Sequence, residues 1–506
     1  MATPLALQAD ALVVHLFVAV NGEQPTSDRQ YLFDVWRVCG DKLGMTEPLS
    51  VSGLGLNPPA DWERSTQRSQ LLAGRSLPRP GGPPTPYVQE ALLRREHDTF
   101  CITVMRELAP ADGKSWTDLD TDWSDAIGAL TRSPGVIGSA RLYLARLVAP
   151  GSPTPDVRLT AAVRARCPAH PKAGAWWERG VVVPRGFAVW EASSPEDDRD
   201  ERRIVVVAAE NQDAALSAWT WVVGGDRSLP RFGQYLLHAA KLRYQRRIWW
   251  SAERGFRQAR QEADKTVQKL LALVAPQQPQ PRRREPSQAE LVAASRELVS
   301  LQAGELGLVQ TSTSLREMHR TVDIASANLT ALSENGQLDG LFADDRSLAA
   351  WFGQQLDDDA TYLEAARERV TQVGGLTDQL VQRVQQRRQE RFNLGLTGVI
   401  GAILMVLAAI QSLQYTVPLP PLVKPAVITT LGAAALLASL VVLRFAVSDR
   451  RWPLALVWVG FGATTAAATW IGVSAFAGAT TVAGTWLWAG AGFVVGVAAA
   501  VLVTPV

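Results

Sequence analysis

The sequence predicts an α+β cytoplasmic domain, a mixed-sheet α/β sandwich, followed by a long helical stem and a four-helix transmembrane domain. Two observations lead to this fold class. Short β-rich runs alternate with helical periodicities in the first part of the chain, a pattern typical of mixed α/β domains. Charge is also unevenly distributed, because the only charged residues of 393–506 are Lys424, Arg444, Asp449, Arg450 and Arg451.

The first 228 residues combine predicted strands with predicted helices. The strands are 11–20, 100–105, 136–148 and 203–209, with a hairpin that joins 180–183 to 187–191. The helices are 31–43 and 214–222, the second capped by Asn211 or Asp213. Residues 50–86 are rich in Pro and Gly, and we expect a long loop there.

Helical sequence follows, interrupted by the Pro/Arg-rich linker 275–286. From Ala349 onward, apolar residues recur every seven positions, which predicts a coiled-coil or bundle stem. One series is Ala349, Leu356, Leu363, Val370, Thr377 and Val384; the other is Phe352, Ala366, Val373 and Leu380, interrupted by Asp359. The partner of this stem could be another helix of the chain or a second protomer, which would make a homo-oligomer.

These features give five predicted domains. They are the α/β cytoplasmic domain 1–228, the long helix 229–274, the linker 275–286, the helical or coiled-coil stem 287–392 and the four-helix transmembrane domain 393–506. Because few packed contacts should cross a Pro-rich linker, we expect residues 1–274 to fold without the membrane part.

Four apolar runs, 394–413, 422–443, 453–476 and 480–503, are each long enough to cross a bilayer as a helix. Basic residues cluster before the first run at Arg387, Arg388 and Arg391, and between the second and third at Arg450 and Arg451. The positive-inside rule then predicts a multi-pass inner or cell membrane protein with both termini cytoplasmic. No acidic residue, His or Lys lies at a span centre, which favours a packed anchor over a transport pathway.

No residue set predicts catalysis, a cofactor or a metal. Cys167 and His170 have a ligand-like spacing, but no second pair lies nearby to complete a zinc site. The Asp-rich segment 118–125 lacks the Gly and the final Glu of a calcium loop, and we interpret it as a solvated turn before a helix. Three cysteines give no disulfide framework.

One basic and aromatic stretch offers a candidate surface. An anionic partner could bind Lys241, Arg243, Arg246, Arg247 and Arg254. The competing interpretation, which we favour, is the solvated face of a long helix whose aromatic residues pack on the α/β domain. The near-neutral charge of the whole chain argues against nucleic acid as that partner.

Several stretches carry a family resemblance. HLFVAV, LFDVWRVCGDKLGMTEPL and LPRFGQYLLHAAKLRYQRRIW, followed by a stem and an apolar tail, resemble the caspase-and-TPR-repeat-associated (CATRA) proteins of bacterial conflict systems. The resemblance implies no catalytic residues. It implies a membrane-bound component that acts with a caspase-like peptidase and TPR proteins in an immune or programmed-death response.

Two functional hypotheses follow. The first is a non-enzymatic, membrane-anchored sensor, adaptor or effector that recruits partners through its α/β domain. The alternative is an ion channel or transporter gated by the stem, since the order of parts also resembles magnesium channels. That family's Gly-Met-Asn after the first span is replaced here by QSLQYTVPLPP, which argues against magnesium selectivity.

Overall fold

A nine-stranded mixed β-sheet forms the centre of the N-terminal part. The computed structural model describes residues 5–49, 53–59, 62, 69–78, 87–109, 114–148, 151–170, 172–221, 228–274, 288–304, 307–333, 342–415, 427–428, 430–435, 437–438, 451–476 and 481–503. The strands are β1 (Leu7–Ala19), β2 (Glu47–Pro48), β3 (Ser69–Ser76), β4 (Gln89–Glu96), β5 (Thr99–Glu107), β6 (Val136–Leu147), β7 (Val181–Val182), β8 (Ala188–Glu191) and β9 (Glu201–Ala209). Their order is β2-β3-β4-β5-β1-β6-β9-β8-β7. β6 and β9 run parallel, and the other neighbouring pairs run antiparallel.

Ten α-helices accompany the sheet within the described ranges. They are α1 (Pro25–Asp41), α2 (Trp116–Ile127), α3 (Val157–Arg166), α4 (Asp213–Thr220), α5 (Arg231–Val274), α6 (Gln288–Ala303), α7 (Leu308–Leu332), α8 (Ala343–Tyr415), α9 (Arg451–Phe476) and α10 (Val482–Val503). The predicted mixed α/β region and the long helices that follow it are therefore confirmed. The linker 275–286 lies outside the described residues.

The sheet is covered on both faces, because β1 is buried along most of its length. On one face Leu12, Val14 and Leu16 belong to an apolar core shared with α1, α2 and α3. The opposite face meets α5, where a Cβ on Gly138 would lie 3.0 Å from the Ala240 Cβ. Glycine at position 138 therefore lets α5 lie close to the sheet.

Two predictions about the N-terminal part are corrected. The supposed loop 50–86 contains β3, which pairs with the equally unpredicted β4. Both strands have few β-branched residues, so strand pairing rather than local propensity forms them. The Asp-rich segment lies inside α2 instead of before a helix, because Ser115 and Asp118 form a capping box at its start. The cap of α4 is also different: α4 starts at Asp213, preceded by Gln212.

The seven-residue repeat of α8 is confirmed by burial. The first apolar series is buried as far as Thr377. Asp359, which interrupts the second apolar series, accepts a hydrogen bond of 2.9 Å from Trp249 Nε1. Contacts such as Asp264 with Arg369 place α8 parallel to α5. The ion pair of Arg316 with Glu364 joins α8 to α7. The stem helix thus packs on helices of its own chain.

The chain divides into two compact units, residues 1–266 with 299–370 and residues 267–298 with 371–506. This division crosses the predicted domain boundaries, since 299–370 belong with the sheet. The expectation that residues 1–274 fold without the membrane part stays a prediction. Such a fragment would lack the part of α8 that packs in the same unit as the sheet.

In the described part of the chain, one helical segment, Ala483–Leu502, is long and apolar enough to cross a membrane. The four-helix transmembrane domain is therefore not confirmed. The first expected span lies within α8, where the shorter apolar segment is Ile403–Ser412. Residues 422–443 lie largely outside the described residues. The third expected span coincides with α9.

The close helix packing expected from small residues is present between α9 and α10. Thr465 Oγ1 donates a hydrogen bond of 2.8 Å to the Gly492 carbonyl oxygen. A side chain at Gly492 would clash with Thr469, so the two helices approach at glycine. Of the basic residues used for orientation, Arg387 and Arg388 are exposed on α8, and Arg450 lies outside the described residues.

Candidate functional site

The basic stretch of α5 is mostly engaged with the protein itself. Arg243 is only 2% exposed, so it does not lie on a surface. Lys241 Nζ lies 2.5 Å from Asp98 Oδ1, and Arg247 donates hydrogen bonds to the carbonyl oxygens of Ile137, Asp198 and Arg199. The predicted anionic-partner surface therefore loses Arg243, because a charge buried in an ion pair cannot meet a soluble partner.

Arg246 and Arg254, the two other residues of the predicted anionic-partner surface, differ in their surroundings. The guanidinium of Arg246 lies 5.8 Å from the centre of the Trp351 ring, a cation–π contact at the junction of α5 and α8. Arg254 is exposed. A binding role for these two residues stays a prediction.

Arg243 belongs to a cluster that joins the sheet to α5 and α8, here called the α8 cluster: Asp345, Arg202, Arg243, Tyr235, Glu191 and Arg199. Asp345 is fully buried near the start of α8. Its Oδ2 accepts hydrogen bonds from Arg202 Nη1 at 2.8 Å and from Tyr235 Oη at 2.6 Å. Its Oδ1 lies 2.5 Å from Arg243 Nη2, a close ion contact without good hydrogen-bond alignment.

The outer part of the α8 cluster is formed by Glu191 and Arg199. Arg202 donates two parallel hydrogen bonds to the Glu191 carboxylate, at 2.8 and 2.5 Å. Arg199 Nη2 lies 3.2 Å from the same carboxylate. Three guanidinium groups therefore share two carboxylates in the interior, and the cluster has an excess of one positive charge.

Burial and charge act in opposite directions in the α8 cluster. Burial alone would raise the pKa of Asp345, but Arg202 and Arg243 outweigh it and hold that pKa well below its usual range. Burial lowers the pKa of Arg199 to about 10, although Glu191 partly offsets this. The carboxylates thus stay charged at neutral pH, and Asp345 fixes the first turn of α8 to β9 and α5.

A second cluster of similar composition, with two arginines instead of three, lies on the opposite face of the sheet and is here called the α2 cluster: Asp120, Arg141, Arg203, Tyr143 and Glu201. Asp120 Oδ1 accepts hydrogen bonds from Tyr143 Oη at 2.6 Å and from Arg141 Nη1 at 2.8 Å. Arg203 Nη1 lies 3.4 Å from Asp120 Oδ2. Successive residues of a strand point to opposite faces, so Arg202 and Arg203 of β9 serve the two clusters.

A chain of hydrogen bonds links Arg94, Thr103 and His15 on the face of the sheet that α5 covers. Arg94 donates to Thr103 Oγ1 at 3.4 Å, and His15 Nδ1 lies 3.1 Å from that hydroxyl. His15 Nε2 lies 3.1 Å from the Thr220 carbonyl oxygen, which can only accept, so Nε2 carries the proton. Burial, and then the charge of Arg94, lower the pKa of His15 to about 3.

Burial makes the cysteine thiols, the remaining candidate nucleophiles, unreactive. Burial raises the pKa values of Cys39, Cys101 and Cys167 each to about 12, so these thiols are poor nucleophiles at neutral pH. Across the described residues, no group of three or more His, Cys, Asp and Glu side chains is placed to hold a metal ion. The arrangement is suited to joining helices to a sheet.

Sequence reasoning missed Asp345, Arg202 and Glu191. The usable signal was Arg202-Arg203 at the head of the buried run IVVVAA, since charged residues in a buried strand require partners. Asp345 gave no such signal, because an acidic residue in the first turn of a helix is ordinarily solvated and favourable there.

Two family models cover most of the chain. Residues 11–224 match the CASPASE and TPR Repeat-Associated N-terminal domain, and residues 230–370 match the corresponding C-terminal domain. The first match ends shortly after α4, and the second begins where α5 begins and ends within α8. No curated protein and no solved structure is significantly similar to the chain.

Proposed function

Because this chain belongs to the CATRA family, whose two domain models it matches in order, we propose that it is a membrane-anchored adaptor or effector of a bacterial conflict system. In this role it recruits caspase-like and TPR proteins through the sheet domain. It performs no chemistry of its own. Its apolar C-terminal part supplies location and the membrane-linked step of the response.

The observation that carries this proposal is the course of α8. The helix starts at Ala343, is fixed to the sheet through Asp345, and continues without interruption to Tyr415. Its last part, Ile403–Ser412, is apolar. A partner that binds the sheet domain can therefore act on the apolar segment through the helix that connects them.

The membrane part of the proposal includes four spans with both termini in the cytoplasm. It is supported by the one candidate span in α10, by the apolar helix α9 and by the arginines that precede the first and third apolar runs. Reporter fusions after Val447 and after Val506 should both report the cytoplasm, and a fusion near Thr416 should report the outside. An external signal at Val506 contradicts this topology.

A non-enzymatic role is supported by the cysteine environments and by the pairing of the buried acids with arginine. The three thiols have raised pKa values, and Asp120, Asp345 and Glu191 are each held by guanidinium groups. Side chains committed to ion pairs in this way are poorly available as general acids or bases.

The experiment is a pull-down of the full-length chain with the products of neighbouring genes, combined with a growth-arrest assay. Leu363→Asp places an unpaired charge at a core position of α8 that is 2% exposed. We expect this variant to keep partner binding and to lose growth arrest. Ala365→Asp, at an exposed position two residues away, is the matched control and should act like the wild type.

Two outcomes contradict the proposal. If the full-length chain captures no caspase-like or TPR protein, the adaptor role fails. If Leu363→Asp still arrests growth, α8 does not connect the two parts. Conductance of the purified protein in planar bilayers would then favour the channel.

A further inference from the structure

A cleft of about 710 Å³ lies beside the α8 cluster, between the end of the sheet and the first turns of α8. One wall comes from Arg179 and β7, and the floor from Glu191 and the connection between β8 and β9. The other wall is formed by Ser347, Leu348 and Trp351 of α8. This volume is in the range of small-molecule sites in proteins.

The lining of the cleft includes the Arg199 guanidinium, whose Nη atoms contact the Glu191 carboxylate and the Glu196 carbonyl oxygen while its Nε–H group has no partner among the described residues. The Arg199 side chain is only 9% exposed. Behind it, the α8 cluster has one more guanidinium than carboxylates. Arg179, at the mouth, is exposed and has no ionic partner in the described part of the chain. Two arginines thus converge on one cavity.

The opposite wall offers an aromatic surface. Trp351 is 48% exposed and lies in the cleft next to Leu348. The half-exposed indole of Trp351 suits a flat apolar group, whereas Leu348 beside it is buried. Glu191, Asp197 and Asp344 also line the cleft, so a polyanion would be repelled, and an oxyanion group would have to lie between the two guanidinium groups.

We propose that this cleft binds a small ligand that has one oxyanion group, a phosphate or a carboxylate, and a flat apolar body. The oxyanion pairs with Arg179 and Arg199, and the flat body packs on Trp351. Such a ligand contacts both the sheet and α8, so its binding stabilises the arrangement in which α8 is fixed. The site exists whether or not the chain recruits partners at a membrane.

The test uses full-length protein purified in detergent and three probes: inorganic phosphate, phenyl phosphate and benzoate. Binding is measured by calorimetry, and the quenching of tryptophan fluorescence in the wild type is compared in parallel with that in Trp351→Ala. We expect phenyl phosphate or benzoate to bind about tenfold more tightly than inorganic phosphate. The preferred probe identifies the oxyanion.

Two variants test the oxyanion contact and the apolar contact of the site separately. Arg179→Ala should weaken every probe that binds by about tenfold, because it removes one charge-assisted contact. Trp351→Ala should weaken phenyl phosphate and benzoate to the level of inorganic phosphate and leave the latter unchanged. Arg320→Ala, an exposed arginine of α7 outside the cleft, is the matched control and should bind like the wild type.

The proposal is overturned if no probe gives saturable binding, or if Arg179→Ala and Trp351→Ala both bind as tightly as the wild type. Because binding is measured directly on the purified chain, these results do not depend on partner recruitment or growth arrest.

Discussion

The α2 cluster and the α8 cluster use the same chemistry on opposite faces of one sheet, but they differ in what they join. Each centres on an aspartate held by two arginines and a tyrosine hydroxyl at 2.6 Å. Asp120 and its partners all fall within the first family match. Asp345 lies 143 residues from Arg202, in the second match.

The clusters also differ in burial and in redundancy. The Asp345 side chain is fully buried, whereas that of Asp120 is 11% exposed. In the α2 cluster, Glu201 pairs with both Arg141 and Arg203 and would still hold them without Asp120. In the α8 cluster, Arg243 has no second carboxylate partner among the described residues. The comparison indicates that the α2 cluster supports a local fold, while the α8 cluster specifies the attachment of a distant helix.

Asp345→Asn should have the largest effect. It leaves Arg243 buried without a counter-charge, and we expect the free energy of unfolding to fall by about 3–5 kcal/mol. Urea denaturation of the full-length protein measures this change. Asp344→Asn alters the exposed neighbour and should change stability by less than about 0.5 kcal/mol. Equal effects of the two substitutions would contradict the role given to Asp345.

Asp120→Asn should be less costly, at about 1–3 kcal/mol, since Glu201 continues to pair with both arginines. The same denaturation experiment applies, with exposed Asp125→Asn as the control. A loss equal to or greater than that of Asp345→Asn would break the distinction between a redundant cluster and a non-redundant one.

The loss of stability at acidic pH should test the buried environment of His15. Its folded pKa of about 3 lies below the usual 6.5, so between these values the unfolded chain binds a proton that the folded chain excludes. Stability therefore falls as the pH falls through this window, by at most about 1.4 kcal/mol per pH unit. His15→Gln should reduce this slope in denaturation curves measured from pH 7 to 4, and His238, whose pKa burial lowers to about 4, should account for part of the remainder. His170→Gln, near the α2 cluster and less buried, should remove less of it.

The tyrosines should give the smallest effects. Tyr235→Phe and Tyr143→Phe each remove one hydroxyl that donates to an aspartate still held by arginine, and each should cost about 1 kcal/mol. Thermal unfolding measured by circular dichroism compares the pair. A null effect at Tyr235 with a clear loss at Tyr143 would reverse the order expected from burial.

The sequence by itself determined the elements with strong periodic signals. Residue spacing predicts the apolar strand β1, the 44-residue helix α5 and the seven-residue repeat of α8. Spacing is sufficient here because the backbone geometry of a strand or helix places regularly spaced apolar residues on one buried face. The apolar character of the C-terminal part is equally a property of composition.

Where the local sequence signals are weak, tertiary structure alone decided which secondary structure and which contacts form. β3 and β4 exist because they pair with each other, and the helix of the Asp-rich segment is held against the sheet because Asp120 pairs with Arg141 of β6. Asp345 resembles any acidic residue at a helix start until the fold brings Arg202 and Arg243 to it. Pairing between charges far apart in sequence depends on the positions of whole elements, so it leaves no periodic trace in the sequence.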